Sequence, residues 1–249
     1  MDEIRPYCLS IAGYDPTAGA GVLADIKTFE MNGVYGLALI TANTSQTDDH
    51  FIDVQWIATD IILSQLRMLI EHYEIAVLKI GLVQNSETLF SIIKLAKELQ
   101  PRIRIVWDPI LKSTSGFDFH SHENMGLEFL ETNCSLITPN WEEYVALWGM
   151  DTAVTQFKNT NSAILIKGGH RKENVGCDLL YENGIITELD GVPFNGRSKH
   201  GTGCVLSAAI AANLTLGNSL VESCKKGKVY VEKFILSNET NLGYHYVKI

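Results

Sequence analysis

The chain has 249 residues, of which 46% are apolar and 20% charged, enough for a substantial buried core and with no segment of disordered composition. Its formal net charge of −9, with no clustered basic stripe, argues against nucleic-acid binding. No apolar run reaches the ~18 residues needed to span a bilayer. The polar start Met1-Asp2-Glu3-Ile4-Arg5-Pro6 lacks the basic and apolar regions of a signal peptide. The five dispersed cysteines (Cys8, Cys134, Cys177, Cys204, Cys224) contain no C-x-x-C pair, which disfavours a disulfide framework or a zinc site. The reading is a cytoplasmic protein.

Taken in chain order, short β-rich runs alternate with helical patterns. Cys8–Ala12 reads as a strand, followed by a Gly-rich loop and a helix from about Ala20 to Asn32, stopped by Gly33. Leu37–Ser45 and Phe51–Ile57 read as strands. Thr59–Tyr73 carries an amphipathic stripe at Ile62, Leu63, Leu66, Leu69, Ile70 and Tyr73. Ala76–Ile80 reads as a buried strand, and Ser86–Leu99 as a helix with Ser86 as its cap. The strands Ile103–Trp107, Leu136–Thr138 and Ala163–Ile166 end at Asp108-Pro109, Pro139-Asn140 and Lys167-Gly168-Gly169-His170, with a polar loop and a helix between the first two. Asp178–Tyr181 and Ile185–Leu189 flank Glu182-Asn183-Gly184 and read as a hairpin with an Asn-Gly turn. Helices over about Gly201–Leu216 and Ser219–Leu236 close the chain, and the Lys225-Lys226-Gly227-Lys228 run in the second reads as a solvated face.

This alternation predicts one α/β domain over residues 1–249: three layers, with a mainly parallel sheet covered by helices on both faces. Right-handed crossovers would put the loops after the strands on one edge, where ligands bind. The polar motifs mostly follow strands. His200-Gly201-Thr202-Gly203-Cys204 precedes an Ala-rich helix. Two glycines at a helix start let free N–H groups approach an anion, and Cys204 in the first turn would feel a dipole that favours thiolate. A Gly-rich loop with a buried cysteine reads equally well. In Ala12–Gly21, Asp15 and, beyond the loop, Asp25 offer acceptors to a ring or hydroxyl, so the segment reads as a substrate-binding loop, alongside a plain βα loop. The pattern Gly19-x-Gly21 is a loose dinucleotide fingerprint, displaced from its strand by Tyr14–Ala18. Asn140 and Glu143 fit a capping box, and the same residues could sit near a hydrated Mg²⁺. Lys167 at a strand end suits a phosphate contact or a solvated edge; Gln46 reads as a loop glutamine or as a donor–acceptor for a heteroaromatic edge. No Walker A, H-E-x-x-H or G-x-S-x-G sequence is present.

In this order the pieces resemble the hydroxymethylpyrimidine/phosphomethylpyrimidine kinases of thiamine biosynthesis, within the ribokinase-like superfamily. The carrying stretches are Ser10–Pro16 with Gly19-Ala20-Gly21, Ala24–Phe29, Ile40–Gln46, Lys79-Ile80-Gly81, Asp108-Pro109, Ile137–Asn140, Lys167–His170 and His200–Cys204. The resemblance implies a ribokinase-like fold and ATP-dependent phosphorylation of 4-amino-5-hydroxymethyl-2-methylpyrimidine and then of its monophosphate, with Mg²⁺. It implies Cys204 as catalytic base, an anion hole from Gly201, Thr202 and Gly203, Lys167 on the ATP phosphates, and Asn140 with Glu143 organising the metal near Asp108. Gln46 would bind the pyrimidine edge, with Gly13 and Asp25 lining the same pocket. Tyr14, Ala18 and Leu82 depart from the family pattern, as does the order within Lys112–Gly116. The nearest rival is a pyridoxal or pyridoxine kinase of the same superfamily; more distant ones are a nucleotide-cofactor oxidoreductase and a non-catalytic pyrimidine-binding protein. The antiparallel segments are candidate edges for a homodimer.

Overall fold

The computed structural model describes residues 4–112, 119, 126–149, 161–170 and 176–191, together with 199–245. The segment Ser113–Gly116 and the side chain of His170, both of interest in the sequence, lie outside the described residues. One nine-stranded sheet runs through the molecule: β1 (Tyr7–Tyr14), β2 (Tyr35–Gln46), β3 (Phe51–Trp56), β4 (Ile75–Ile80), β5 (Arg104–Trp107), β6 (Leu136–Ile137), β7 (Ala163–Ile166), β8 (Asp178–Glu182) and β9 (Ile185–Leu189). Their order in space is β3-β2-β1-β4-β5-β6-β7-β8-β9. The six from β2 to β7 are parallel, while β3, β8 and β9 join antiparallel at the two edges.

Alternation along the strands divides the core between two faces, as the two-residue period requires. Cys8, Val77, Val106 and Leu136 face one side, where they pack with α1 (Gly21–Met31), α6 (Thr202–Thr215) and α7 (Leu220–Ile235). Leu9, Ile11, Leu78, Ile80, Ile105 and Trp107 face the other, against α2 (Thr59–His72), α3 (Ser86–Leu99) and α4 (Leu127–Asn133). A further helix, α5 (Trp141–Trp148), stacks Trp141, Tyr144 and Trp148 in series and packs on Ile164 and Ile166 of β7. The structure is therefore the expected three-layer α/β arrangement. Helix α6 is buried from Cys204 to Thr215, which its run of alanines permits because small side chains let sheet and helices close on every face.

Local chemistry explains most boundaries, and the differences from expectation have physical reasons. Strand β2 is longer at both ends than its apolar core, because β1 pairs with it from Tyr35 onward and β3 covers its far end to Gln46. Asn85, not Ser86, caps α3, its side chain accepting from the Thr88 N–H at 2.9 Å. The basic run on α7 is not uniformly solvated. Lys228 is buried, donating to Asp178 Oδ2 at 2.9 Å and to the Gly176 carbonyl at 2.5 Å, while Gly227 lets α7 close on Ile210 of α6. The hairpin turn is as the sequence implied: Asn183 and Gly184 both have positive φ, 52° and 77°, the pattern of a type I′ turn. No helix among the described residues is long and apolar enough to cross a membrane.

Candidate active site

The site lies at the carboxyl ends of β1, β4, β5, β6 and β7. The order β2-β1-β4 makes the end of β1 a topological switch point, where chain connections diverge and open a crevice. The start of α6 comes down onto that edge. Its preceding residue, Gly201, is left-handed at φ 76°, and a Cβ there would lie 2.0 Å from the Gly19 carbonyl oxygen. Only glycine allows this contact between two loops that are distant in sequence. Gly203 is in ordinary helical space, yet a Cβ on it would come 3.3 Å from Lys167 Nζ and 4.0 Å from Asp108 Oδ2.

Lys167 and Asp108 are the centre of a charged group. Lys167 Nζ lies 2.8 Å from Asp108 Oδ1 and 3.8 Å from Glu143 Oε2. Asp108 also accepts from Thr138 Oγ1 and Ser207 Oγ, each at 3.0 Å. Burial opposes charge on Asp108, but Lys167, Lys79 and the Ser207 hydroxyl hold its carboxyl below the usual range. Burial likewise opposes charge on Lys167, and Asp108 with Glu143 outweighs it, keeping the ammonium above its ordinary value. Glu143 behaves differently: burial pushes its carboxyl up to about 7 despite the pull of Lys167. Asn140 and Glu143 form the full capping box of α5, with Asn140 N to Glu143 Oε2 at 2.7 Å and Glu143 N to Asn140 Oδ1 at 2.8 Å.

Cys204 is buried in the first turn of α6. The helix start favours thiolate, but desolvation dominates and pushes the thiol up to about 11, against the pull of Lys79 and of the Gly21 N–H. Of the two readings of this motif, the helix dipole does not lower the thiol, and the buried cysteine stands. Lys79 was hidden in an apolar strand; it is fully buried, with Nζ 2.9 Å from Asp25 Oδ2, and Ser10 Oγ donates to the same oxygen at 2.5 Å. Burial works against the Lys79 ammonium, and Asp25, Cys204 and Asp108 together raise it. The one sequence signal for this pair is a lysine inside the apolar run of a central strand, which demands a buried carboxylate somewhere in the chain.

The structure brings Cys204, Gly201, Thr202, Gly203, Lys167, Asp108, Asn140 and Glu143 to one edge. The two aspartates of the first loop are not free acceptors. Asp25 is taken by Lys79 and Ser10, and Asp15 by His200, Thr17 and the Ala20 N–H. Gln46 stands at the end of β2, its amide donating to Thr44 Oγ1 at 2.9 Å, and Thr44 donates to the Tyr14 carbonyl at 2.8 Å. Gly13 is buried beside Leu82, whose Cδ2 would lie 3.2 Å from an added Cβ. The Ala18 departure has a backbone consequence, since this non-glycine residue sits at φ 55°. Chemically the arrangement offers an ammonium and helix-start amides for an anion, hard oxygen ligands beside them, and a basic sulfur at the same turn.

The chain and its fold are similar to those of known kinases. A hydroxymethylpyrimidine/phosphomethylpyrimidine kinase of Aquifex aeolicus is 36% identical over 251 aligned residues, covering 96% of this chain and 97% of that protein. One of Rhizobium meliloti is 33% identical, covering 91% and 89%. Among solved structures, a pyridoxal kinase of Staphylococcus aureus in complex with ADP superposes with a TM-score of 0.82 at 25% identity, covering 97% of this chain and 92% of that one. The phosphomethylpyrimidine kinase of Clostridium difficile gives 0.75 at 28% identity, covering 92% and 99%. The family pattern of phosphomethylpyrimidine kinase matches residues 15–249, and the chain belongs to that family.

Proposed function

We propose that this protein transfers the γ-phosphoryl group of ATP to the hydroxymethyl group of 4-amino-5-hydroxymethyl-2-methylpyrimidine, and then a second one to the phosphate of the product. The observation that carries this reading is the meeting of Lys167, Asp108 and Cys204 at the Gly201–Gly203 turn, in a chain of this family. Phosphoryl transfer asks for positioning and charge neutralisation more than for covalent help. In the first step the hydroxyl oxygen attacks the γ-phosphorus, the bond to the bridging oxygen breaks, ADP leaves, and the hydroxyl proton passes to Cys204 in its thiolate form, the minor form of a thiol pushed up to about 11. Lys167 and the amides of Gly201, Thr202 and Gly203 hold the phosphoryl oxygens. In the second step the nucleophile is a phosphate oxygen that is largely unprotonated at neutral pH, so a base contributes little. Gln46 reads the ring edge and Gly13 lines the same pocket against Leu82; Asp25 supports it through Lys79.

The donor set suits Mg²⁺. Asp108 and Glu143 are hard oxygen ligands; burial first, and the Asp108 charge after it, raise the Glu143 carboxyl, and a divalent cation would favour its charged form. Asp108 and Glu143, with Asn140 fixing the latter, would hold it, mostly through water. When bound, the ion supplies neutralisation of phosphate charge.

A second reading rests on the superposition with pyridoxal kinase, at the higher TM-score. An ADP-release assay with each ring alcohol alone and then in competition, with products identified by mass, separates the two. The account predicts mono- and diphosphate of the pyrimidine and a kcat/KM at least tenfold above that for pyridoxal. Preference for pyridoxal, or ATP turnover with neither, would overturn it.

A further inference from the structure

The two loops that would hold acceptor and phosphoryl group are joined by a side-chain pair 185 residues apart: His200 Nε2 lies 2.7 Å from Asp15 Oδ2. Both side chains are buried, at 6% and 1% exposure. Asp15 closes its own loop as well, accepting from the Thr17 N–H at 2.9 Å and from the Ala20 N–H, just before α1, at 2.8 Å. Burial opposes its charge, but the bonds from His200 and Thr17 hold the carboxyl below the usual range.

The backbones beneath are in contact. The Gly201 Cα direction points at the Gly19 carbonyl, and a Cβ on Gly19 would meet the His200 ring at 2.7 Å. From the other side the chain beyond α7 grips the same turn. His200 N–H donates to the Asn241 carbonyl at 2.9 Å, and the buried Lys199 ammonium donates to the Asn238 carbonyl and Oδ1, both at 2.8 Å. The turn that carries Gly201–Gly203 is thus clamped between the loop after β1 and the segment after α7. With Asp15 accepting from Nε2–H, Nδ1 is an acceptor that finds no partner among the described residues. The Asp15 contact is therefore the one hydrogen bond of the ring among the described residues.

We propose that Asp15 and His200 form a latch that sets the distance between the acceptor loop and the phosphoryl-binding turn, which makes His200 a positioning residue for phosphoryl transfer. The proposal rests on the kinase reading above. Transfer is steep in the separation of nucleophile and phosphorus, and a misplacement of about 1 Å costs on the order of 100-fold in rate. The latch holds that separation without touching either substrate, so its loss shows in kcat and much less in KM.

The test compares His200→Leu, His200→Gln, His200→Asn and the double variant Asp15→Ala/His200→Leu in the full chain, with kcat and KM for the pyrimidine alcohol and ATP, and melting temperature. Glutamine can place its amide NH₂ near Nε2 and asparagine cannot reach. His200→Leu lowers kcat roughly 30- to 100-fold with each KM within about threefold. His200→Gln recovers at least tenfold of that loss, His200→Asn does not, and the double variant is no worse than the leucine variant. A leucine variant with kcat within threefold of wild type overturns the latch, as do additive losses in the double variant. If the leucine variant does not fold, equal kcat for the glutamine and asparagine variants overturns it. Wild-type turnover is measured first: its absence sinks the kinase reading, whereas full turnover in His200→Leu sinks the latch alone.

Discussion

Replacing Gly203 by alanine separates stability from activity at the proposed phosphoryl site. Gly203 lies in the first turn of α6 without positive φ, so alanine fits the backbone. Its methyl would meet Lys167 Nζ at 3.3 Å, the far end of a flexible side chain that can yield by a few tenths of an ångström, and stand at ordinary contact distance, 4.0 Å, from Asp108 Oδ2. Glycine in a helix costs about 0.5–1 kcal/mol relative to alanine, through the freedom of the unfolded chain, so the variant should be as stable or slightly more so. For a chain of this size that amounts to a rise of roughly 0–4 °C in melting temperature. The methyl would also occupy the space beside Lys167 and Asp108, where the migrating phosphoryl oxygens lie on this account. A displaced lysine and a blocked amide should lower kcat by about 10- to 1,000-fold, in line with the loss of one preorganised donor. The assay is ADP release with the pyrimidine alcohol, read beside a calorimetric melt of the same sample. Retained stability with full kcat would refute the placement of the phosphoryl group at this turn.

Other expectations follow from the same contacts. Gly201→Ala should destabilise the fold by more than about 3 kcal/mol in a thermal melt, since a Cβ at φ 76° would stand 2.0 Å from a backbone oxygen. Glu143 is protonated more readily folded, at about 7, than unfolded near 4.5, so its stabilising contribution is complete below pH 4.5 and is lost as pH rises to 7. Glu143→Gln keeps an acceptor for the Asn140 N–H and should flatten that fall in denaturant titrations of the metal-free protein, while weakening Mg²⁺-dependent turnover; an unchanged pH profile would speak against the raised carboxyl. Lys228→Met leaves Asp178 without its buried ammonium and should cost about 3–5 kcal/mol by chemical denaturation, an effect absent for the exposed Lys225→Met. With the Cys204 thiol at about 11 in the free protein, kcat/KM of the alcohol step should rise about tenfold per pH unit between 7 and 9, and a flat profile would contradict proton acceptance by this sulfur.

Local signals carried much of this in the sequence. The Asn140/Glu143 box, the Asn183-Gly184 turn and the strand ends at Asp108 and Lys167 are short-range patterns, and each stands where its residues imply. What stayed hidden is pairing across long separations. Lys79 reads as one residue of an apolar strand until Asp25, 54 positions away, is seen against it. Asp15 and Asp25 read as free acceptors because their partners His200 and Lys79 come from other elements. The lysines of α7 look alike in sequence, and only the packing of Gly227 on α6 turns Lys228 inward. Cys204 reads in the sequence either as a thiolate favoured by a helix start or as a buried cysteine; the closeness of the packing around α6, which no local pattern reports, decides for the second and raises the thiol.

The central claim is that a sulfur at the start of α6 takes the proton of the attacking alcohol. It is tested most directly by single-turnover kinetics of Cys204→Ala, following pyrimidine alcohol, monophosphate and diphosphate by mass. General-base help is worth about 10²- to 10⁴-fold, so the alcohol step should fall by that factor while the phosphate step stays within about tenfold of wild type. An equal loss in both steps, or none in either, would contradict the account.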